Sequence, residues 1–174
     1  SGSVAQARLA NQGETAHRGF ETALDVDWGQ LAGWRLSVRT ELRYTYSDAR
    51  FSNDRFLLTP TGDTVNIKHN RLPYAPRHLA TISTILAMPG RYALKLDRVQ
   101  VGEQFADNFE TRLASANGRN GLIPAQAVWN ASGWLAVPGT RLRLEATVKN
   151  LTNATYIASR RPEAAAERTP AGDR

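Results

Sequence analysis

The sequence predicts an all-β fold, an antiparallel transmembrane β-barrel fragment in which about six long strands follow one another as a meander. Three observations lead there: apolar–polar alternation, strands too long for an ordinary soluble sheet, and connections that alternate between short and long. The clearest alternation runs from Trp34 to Tyr46. Trp34, Leu36, Val38, Thr40, Leu42, Tyr44 and Tyr46 share one parity, and Arg35, Ser37, Arg39, Glu41, Arg43 and Thr45 the other. A period of two puts these sets on opposite faces of one strand. Its 13 residues exceed the usual strand length of about five or six, and at about 3.4 Å each they cross a bilayer at a tilt.

Taken in order, Val4–Ala10 is too short to judge and reads as the tail of a strand, and Asn11–Thr15 as a turn. A strand over 16–28 sets Phe20, Thr22, Leu24, Val26 and Trp28 against Glu21, Ala23, Asp25 and Asp27, and Gly29–Gly33 closes a short hairpin into 34–46. Ser47–Ala75 is a polar connection with Pro60, Gly62 and Pro73; at 29 residues it far exceeds the ~12–15 that a compact soluble domain tolerates. Further strands are expected at 76–88 and 91–106, joined by Pro89-Gly90. Within the second, Leu94 and Leu96 give way to Val99 and Val101 of opposite parity, which predicts a β-bulge near Asp97 and Arg98. After a second long loop, Asp107–Pro124, strands are read at 125–137 and 140–156 around Pro138-Gly139. Ile157–Arg174 is polar and reads as a loop. Long loops thus fall on one rim and short turns on the other, as in outer-membrane barrels. A soluble antiparallel sandwich shares the alternation but accounts poorly for the strand lengths and the one-sided loops.

In such a barrel the apolar face meets lipid and the charged face the lumen, where water and neighbouring charges accommodate rows such as Arg35–Arg39–Glu41–Arg43 and Arg141–Arg143–Glu145–Lys149. Trp28, Trp34, Trp129 and Trp134 suit an interfacial aromatic girdle. The formal charge of +6 is spread singly along strands, which argues against nucleic acid as a partner. The absence of cysteine excludes disulfides and thiolate chemistry. No run of about 18 apolar residues forms a transmembrane helix, and Ser1-Gly2-Ser3 does not open a signal peptide. His17, His69 and His78 make no H-x-x-x-H pair, and Asp25 and Asp27 lack a partner motif. No catalytic residue, metal site or cofactor is expected. Asn150-Leu151-Thr152 matches a glycosylation sequon, but in a bacterial barrel strand it should carry no sugar.

Four segments resemble, in order, the C-terminal part of a TonB-dependent outer-membrane receptor barrel. They are Gly13-Glu14-Thr15-Ala16-His17-Arg18-Gly19-Phe20-Glu21, Leu42-Arg43-Tyr44-Thr45-Tyr46-Ser47-Asp48-Ala49-Arg50-Phe51, Asn70-Arg71-Leu72-Pro73-Tyr74-Ala75-Pro76-Arg77-His78, and Val148-Lys149-Asn150-Leu151-Thr152-Asn153-Ala154-Thr155-Tyr156. Gly19 suits a crowded strand start, Pro73 and Pro76 favour extended backbone ahead of them, and Asn150 and Asn153 suit a strand exit. The resemblance implies a barrel of roughly 22 strands with a plugged lumen, a TonB-contacting segment ahead of the plug, and residence in the bacterial outer membrane in contact with its lipid. No plug is expected in this chain. Its ending at Thr169–Arg174 lacks the family's last aromatic-ended strand, so the chain is expected to be a piece of a longer receptor. The implied function is TonB-dependent uptake of a ferric siderophore or ferric citrate-type chelate. Arg50, Arg55, Lys68, His69, Arg71, Arg112 and Arg119, in the two long loops, are the candidate contacts for an anionic chelate. The alternative is a soluble β-sheet adhesin or carbohydrate-binding module with the same loops as its binding rim.

Overall fold

A computed structural model describes residues 14–59 and 61–161. The segment read at Val4–Ala10, the Pro60 position and 162–174 lie outside the described residues. One antiparallel sheet dominates: β1 (Thr15–Asp27), β2 (Ser37–Phe51), β5 (His78–Met88), β6 (Tyr92–Val101), β9 (Gln126–Ala136) and β10 (Arg143–Val148). They pair strictly as β1-β2-β5-β6-β9-β10, a meander without crossovers. Two small ribbons, β3 (Phe56–Leu58) with β4 (Thr64–Asn66) and β7 (Gln104–Phe105) with β8 (Leu122–Ile123), are built from the long loops.

The register sorts the side chains as the alternation requires. Leu24 opposes Leu42, Leu42 opposes Ile82, Leu86 opposes Leu94, and Leu135 opposes Leu144, all on one face. Phe20, Leu24, Leu94, Leu135 and Leu144 each remain more than half exposed. The opposite face carries Arg43–Asp25 at 3.0 Å, Arg39–Glu41 at 3.6 Å, Lys95–Asp97 at 3.1 Å and Arg143–Glu145 at 2.7 Å. Among the described residues no second sheet packs on the apolar face, so its driving force for burial is left to another solvent or partner.

Above the midpoint of that face, Phe20 stacks on Tyr46 at 5.7 Å and leans on Tyr44 at 5.9 Å. His78 lies 5.4 Å from Tyr46 and 6.2 Å from Tyr44, with Tyr44 Oη and His78 Nδ1 2.8 Å apart. Trp28 marks the other end, its indole N–H donating to Thr40 Oγ1 at 3.0 Å. Trp129 shares the apolar face, but Trp134 does not. It stands on the polar face, where the Arg143 guanidinium lies 4.3 Å from its ring centroid. The girdle therefore loses that expected member because β9 puts the two tryptophans on opposite parities.

Several expectations are corrected. The first hairpin is closed by a single helical turn, α1 (Trp28–Leu31), with Asp27 as its N-cap accepting from the Gln30 N–H at 2.9 Å. The β5–β6 and β6–β9 pairings run unbroken past Asp97, so there is no bulge. Val99 and Val101 lie on the polar face, and Arg98 and Gln100 on the apolar one. β10 stops at Val148 instead of continuing to 156. Asn150 and Asn153 adopt positive φ of 51° and 50°. The Asn150 amide group also bridges to Ala154, donating to its carbonyl at 3.0 Å and accepting from its N–H at 2.8 Å. Side-chain hydrogen bonding of this kind competes with the ladder. Gly19 meets the expected crowding: a Cβ there would fall 2.1 Å from the Tyr46 carbonyl oxygen.

Candidate functional site

The long loops are packed against each other over the upper rim of the sheet. Phe51, Leu57 and Ile67 form their core, with Leu72 and Phe109 against it. Leu57, Ile67 and Ile123 are the largest fully buried side chains among the described residues, and all three lie outside the six-stranded sheet. Burying one such side chain contributes about 1.5–3 kcal/mol, so this cap has its own reason to hold together in water.

Polar bonds then join one loop to the other. Asn70 Nδ2 donates to the Asn108 carbonyl at 2.9 Å, the Arg71 N–H to Glu110 Oε1 at 2.7 Å, and the Tyr74 N–H to the Phe105 carbonyl at 2.9 Å. Arg160, which sequence reasoning did not single out, straps the later chain to the rim. Its guanidinium donates to the Gly118 carbonyl at 2.7 Å and the Leu122 carbonyl at 3.4 Å, and its own carbonyl accepts from the Tyr74 hydroxyl. Nothing in its local sequence marks it, since all three partners are more than 35 residues away.

The seven candidate contacts divide by environment. Lys68 and His69 follow β4. Lys68 Nζ pairs with Asp54 Oδ2 at 3.0 Å, and Asn66 Nδ2 donates to Asp54 Oδ1 at 2.8 Å. The Asn66 hydrogen bond first, and Lys68 second, hold the Asp54 carboxyl below its usual range. His69 is exposed at φ 68°, and its carbonyl accepts from Arg50 Nη1 at 2.8 Å. Arg50 also pairs with Asp48 at 2.8 Å, a carboxylate shared with Arg77 at 2.8 Å. The Arg55 guanidinium lies 5.7 Å from the Phe51 ring. Arg112 and Arg119 are exposed on the second loop, Arg112 reaching over Phe105 at 5.7 Å.

Arg71 is the exception. It is only 7% exposed, lies 5.1 Å over the Phe105 ring, and directs Nη2 to the Ala75 and Glu103 carbonyls at 3.4 Å. Burial, followed by nearby Arg77, pushes its guanidinium pKa down. The surface contact expected at Arg71 gives way to a packed strut beneath the cations around it. Phe105 brings Arg71 and Arg112 together, and a hydrogen bond joins Arg50 to His69; Lys68 is engaged with Asp54, and Arg119 lies on the 115–121 turn, where its N–H donates to Asn117 Oδ1 at 3.1 Å.

A single meander with one apolar and one charged face, capped on one rim by packed cationic loops, matches the TonB dependent receptor-like, beta-barrel family over residues 1–151. The chain belongs to that family. Among solved structures it is similar to the ferric citrate transporter FecA in its unliganded form, at 28% identity and a TM-score of 0.67. The match covers 89% of this chain and 22% of FecA, so the chain spans about a fifth of the length of that relative. Members of that family are transporters at the outer membrane, not enzymes. Among the described residues no group of three or more His, Asp or Glu is placed to hold a metal ion.

Proposed function

We propose that this chain forms part of the wall and outer rim of a TonB-dependent outer-membrane receptor that imports an anionic ferric chelate of the siderophore or ferric citrate type. The observation that carries the reading is the pairing of two features: an apolar face left exposed along the whole sheet, and a packed loop cap bearing exposed cations above it. The first fits a wall against lipid. The second fits capture of an anionic ligand at the cell surface. In this reading Arg112, Arg119, Lys68 and His69 meet the chelate, Arg50 and Arg55 shape the same rim, and Arg71 positions Phe105 and Glu110 from below. Energy comes through TonB by way of a plug supplied elsewhere in the receptor, and this chain performs no covalent chemistry. Nucleic acid has no part in it.

The test is uptake of iron-55 by cells whose only such receptor is the intact parent. Combined replacement of Arg112 and Arg119 by Ala is expected to weaken binding of an anionic ferric chelate about tenfold or more, as loss of charge-assisted hydrogen bonds does. A neutral chelate of the same size should be affected little. Equal loss for both chelates would remove the charge argument, and no iron uptake by the wild type would remove the transport reading.

A further inference from the structure

The unbroken register of β6 has a consequence for two of its side chains. Because no residue is inserted near Asp97, Arg98 and Gln100 stay on the apolar face with Leu94 and Leu96. The neighbours of Arg98 on that face are Ile82 and Trp129 in its own row and Thr84 and Ala131 one row lower. None is acidic. Its Nη1 donates to Gln100 Oε1 at 2.8 Å, so the side chain runs up the strand. Gln100 stands in the row of Ala80 and Tyr44, and Tyr44 belongs to the belt formed with Phe20, Tyr46 and His78. A guanidinium drawn along the strand toward the belt end of the sheet is a snorkelling arginine. Directly beneath it, the face forms a shallow apolar groove lined by Leu94, Leu96, Ala131, Gly133, Leu135 and Ala146.

We propose that Arg98, with Gln100 and Trp129 beside it, binds the phosphate of an outer-leaflet lipid whose acyl chain lies in the groove below. The proposal rests on the reading of this face as lipid-facing. Charge selects the head of the occupant, because a cation whose neighbours on the face are apolar or neutral complements an anion. The groove selects its tail. From Gln100 to the Tyr92–Leu135 row is eight residues, about 27 Å along the strand and about 20 Å in height at a tilt near 40°. One leaflet's hydrocarbon is about 15 Å, so a chain hanging from Arg98 fits within the groove. A free anion would use the arginine and leave the groove empty.

The test uses the intact receptor in detergent and native mass spectrometry with two lipids of identical chains, dimyristoyl phosphatidic acid and dimyristoylglycerol. The wild type is expected to retain one phosphatidic acid and no diacylglycerol. Arg98→Leu should lower that retention about tenfold or more, Arg98→Lys should retain part of it, and Arg43→Gln on the other face should leave it unchanged. Arg98→Leu restores the alternation, so it should fold at least as well as the wild type, which strand circular dichroism checks. Equal retention by Arg98→Leu, equal retention of diacylglycerol, or displacement of the lipid by inorganic phosphate would each overturn the site. Failure of the wild type to insert into vesicles would instead overturn the barrel reading on which the site stands.

Discussion

Replacing Leu42 by Arg in the intact receptor tests the assignment of faces most directly. Leu42 sits between the Trp28–Thr40 hydrogen bond on one side and the Phe20–Tyr44 ring contact on the other, opposite Leu24 and Ile82. That places it on the lipid-facing side, in the same paired row as Ile82 and Arg98. An Arg on the lipid side of a barrel that cannot reach the interface costs about 2–4 kcal/mol, which is roughly a 30- to 700-fold shift in the folding equilibrium. The rings of Phe20, Tyr44 and His78 stand above it, so the new side chain has no open path to the surface like the one Arg98 takes toward Gln100. The control is Arg43→Gln, one residue along. It loses the 3.0 Å pair with Asp25, whose side chains are 51% and 52% exposed, and an exposed pair contributes at most about 1 kcal/mol. Urea-driven folding into lipid vesicles, followed by tryptophan fluorescence, gives both free energies. If Arg43→Gln costs more than Leu42→Arg, the faces are reversed and the sheet packs its apolar side inward.

Two further outcomes concern the loop cap. Ile67→Ala removes a side chain with no exposed surface from the Phe51–Leu57–Ile67 core, and a change of this kind costs about 2–5 kcal/mol; amide exchange should accelerate across 52–77 while β1 and β2 keep their protection, and equal acceleration everywhere would show that cap and sheet unfold as one. Asp54, whose folded pKa is depressed by Asn66 and Lys68, stabilises the β3–β4 ribbon above the ordinary carboxylate pKa of about 3.9. That contribution is lost as pH falls through the lower folded value. Exchange of the Ile67 and Lys68 amides, corrected for intrinsic rates, should therefore rise below about pH 4 in the wild type, whereas Asp54→Asn should show no such step.

The sheet is legible where one parity is dominated by apolar and the other by charged residues. β1 and β2 alternate between Phe20 and Asp27 and between Val38 and Thr45 with only Thr22, Ala23 and Thr40 departing from it, and their ends differ from the expected ones only by a few residues. β6 misled because its polarity inverts near the upper rim, and a sequence does not distinguish an inserted residue from a true exchange of faces. The paired rows do: Val99 faces Thr81 and Val128, and Val101 faces Leu79 and Gln126. β10 is shorter than its alternation suggests although the stop signal is present in the sequence, since Asn150 and Asn153 suit a strand exit and the ladder ends at Val148, ahead of both. The ribbons within the loops were invisible for a different reason. Phe51, Leu57, Ile67 and Phe109 are scattered among polar residues and show no period until the chain folds back on itself. The seven cations could be named from composition, but Arg71 became a buried strut through Phe105 and Glu110, which lie 34 and 39 positions away.

In the proposed receptor, apolar residues would therefore serve two solvents in one chain. Those of the sheet stay exposed and those of the loops are buried, so in that reading lipid would hold the wall while the loop cap is held by its own core in water. This division bears on how the rim can respond to a ligand. The Asn70–Asn108, Arg71–Glu110 and Tyr74–Phe105 bonds join the two loops, each contributing about 0.5–1.5 kcal/mol, and Phe109 of the second loop packs against the core of the first. Separating the loops would expose that core and break all three bonds together. Shifting them jointly over the wall leaves both intact, so in the proposed receptor a ligand that pulls on Arg112 would also move Lys68 and His69.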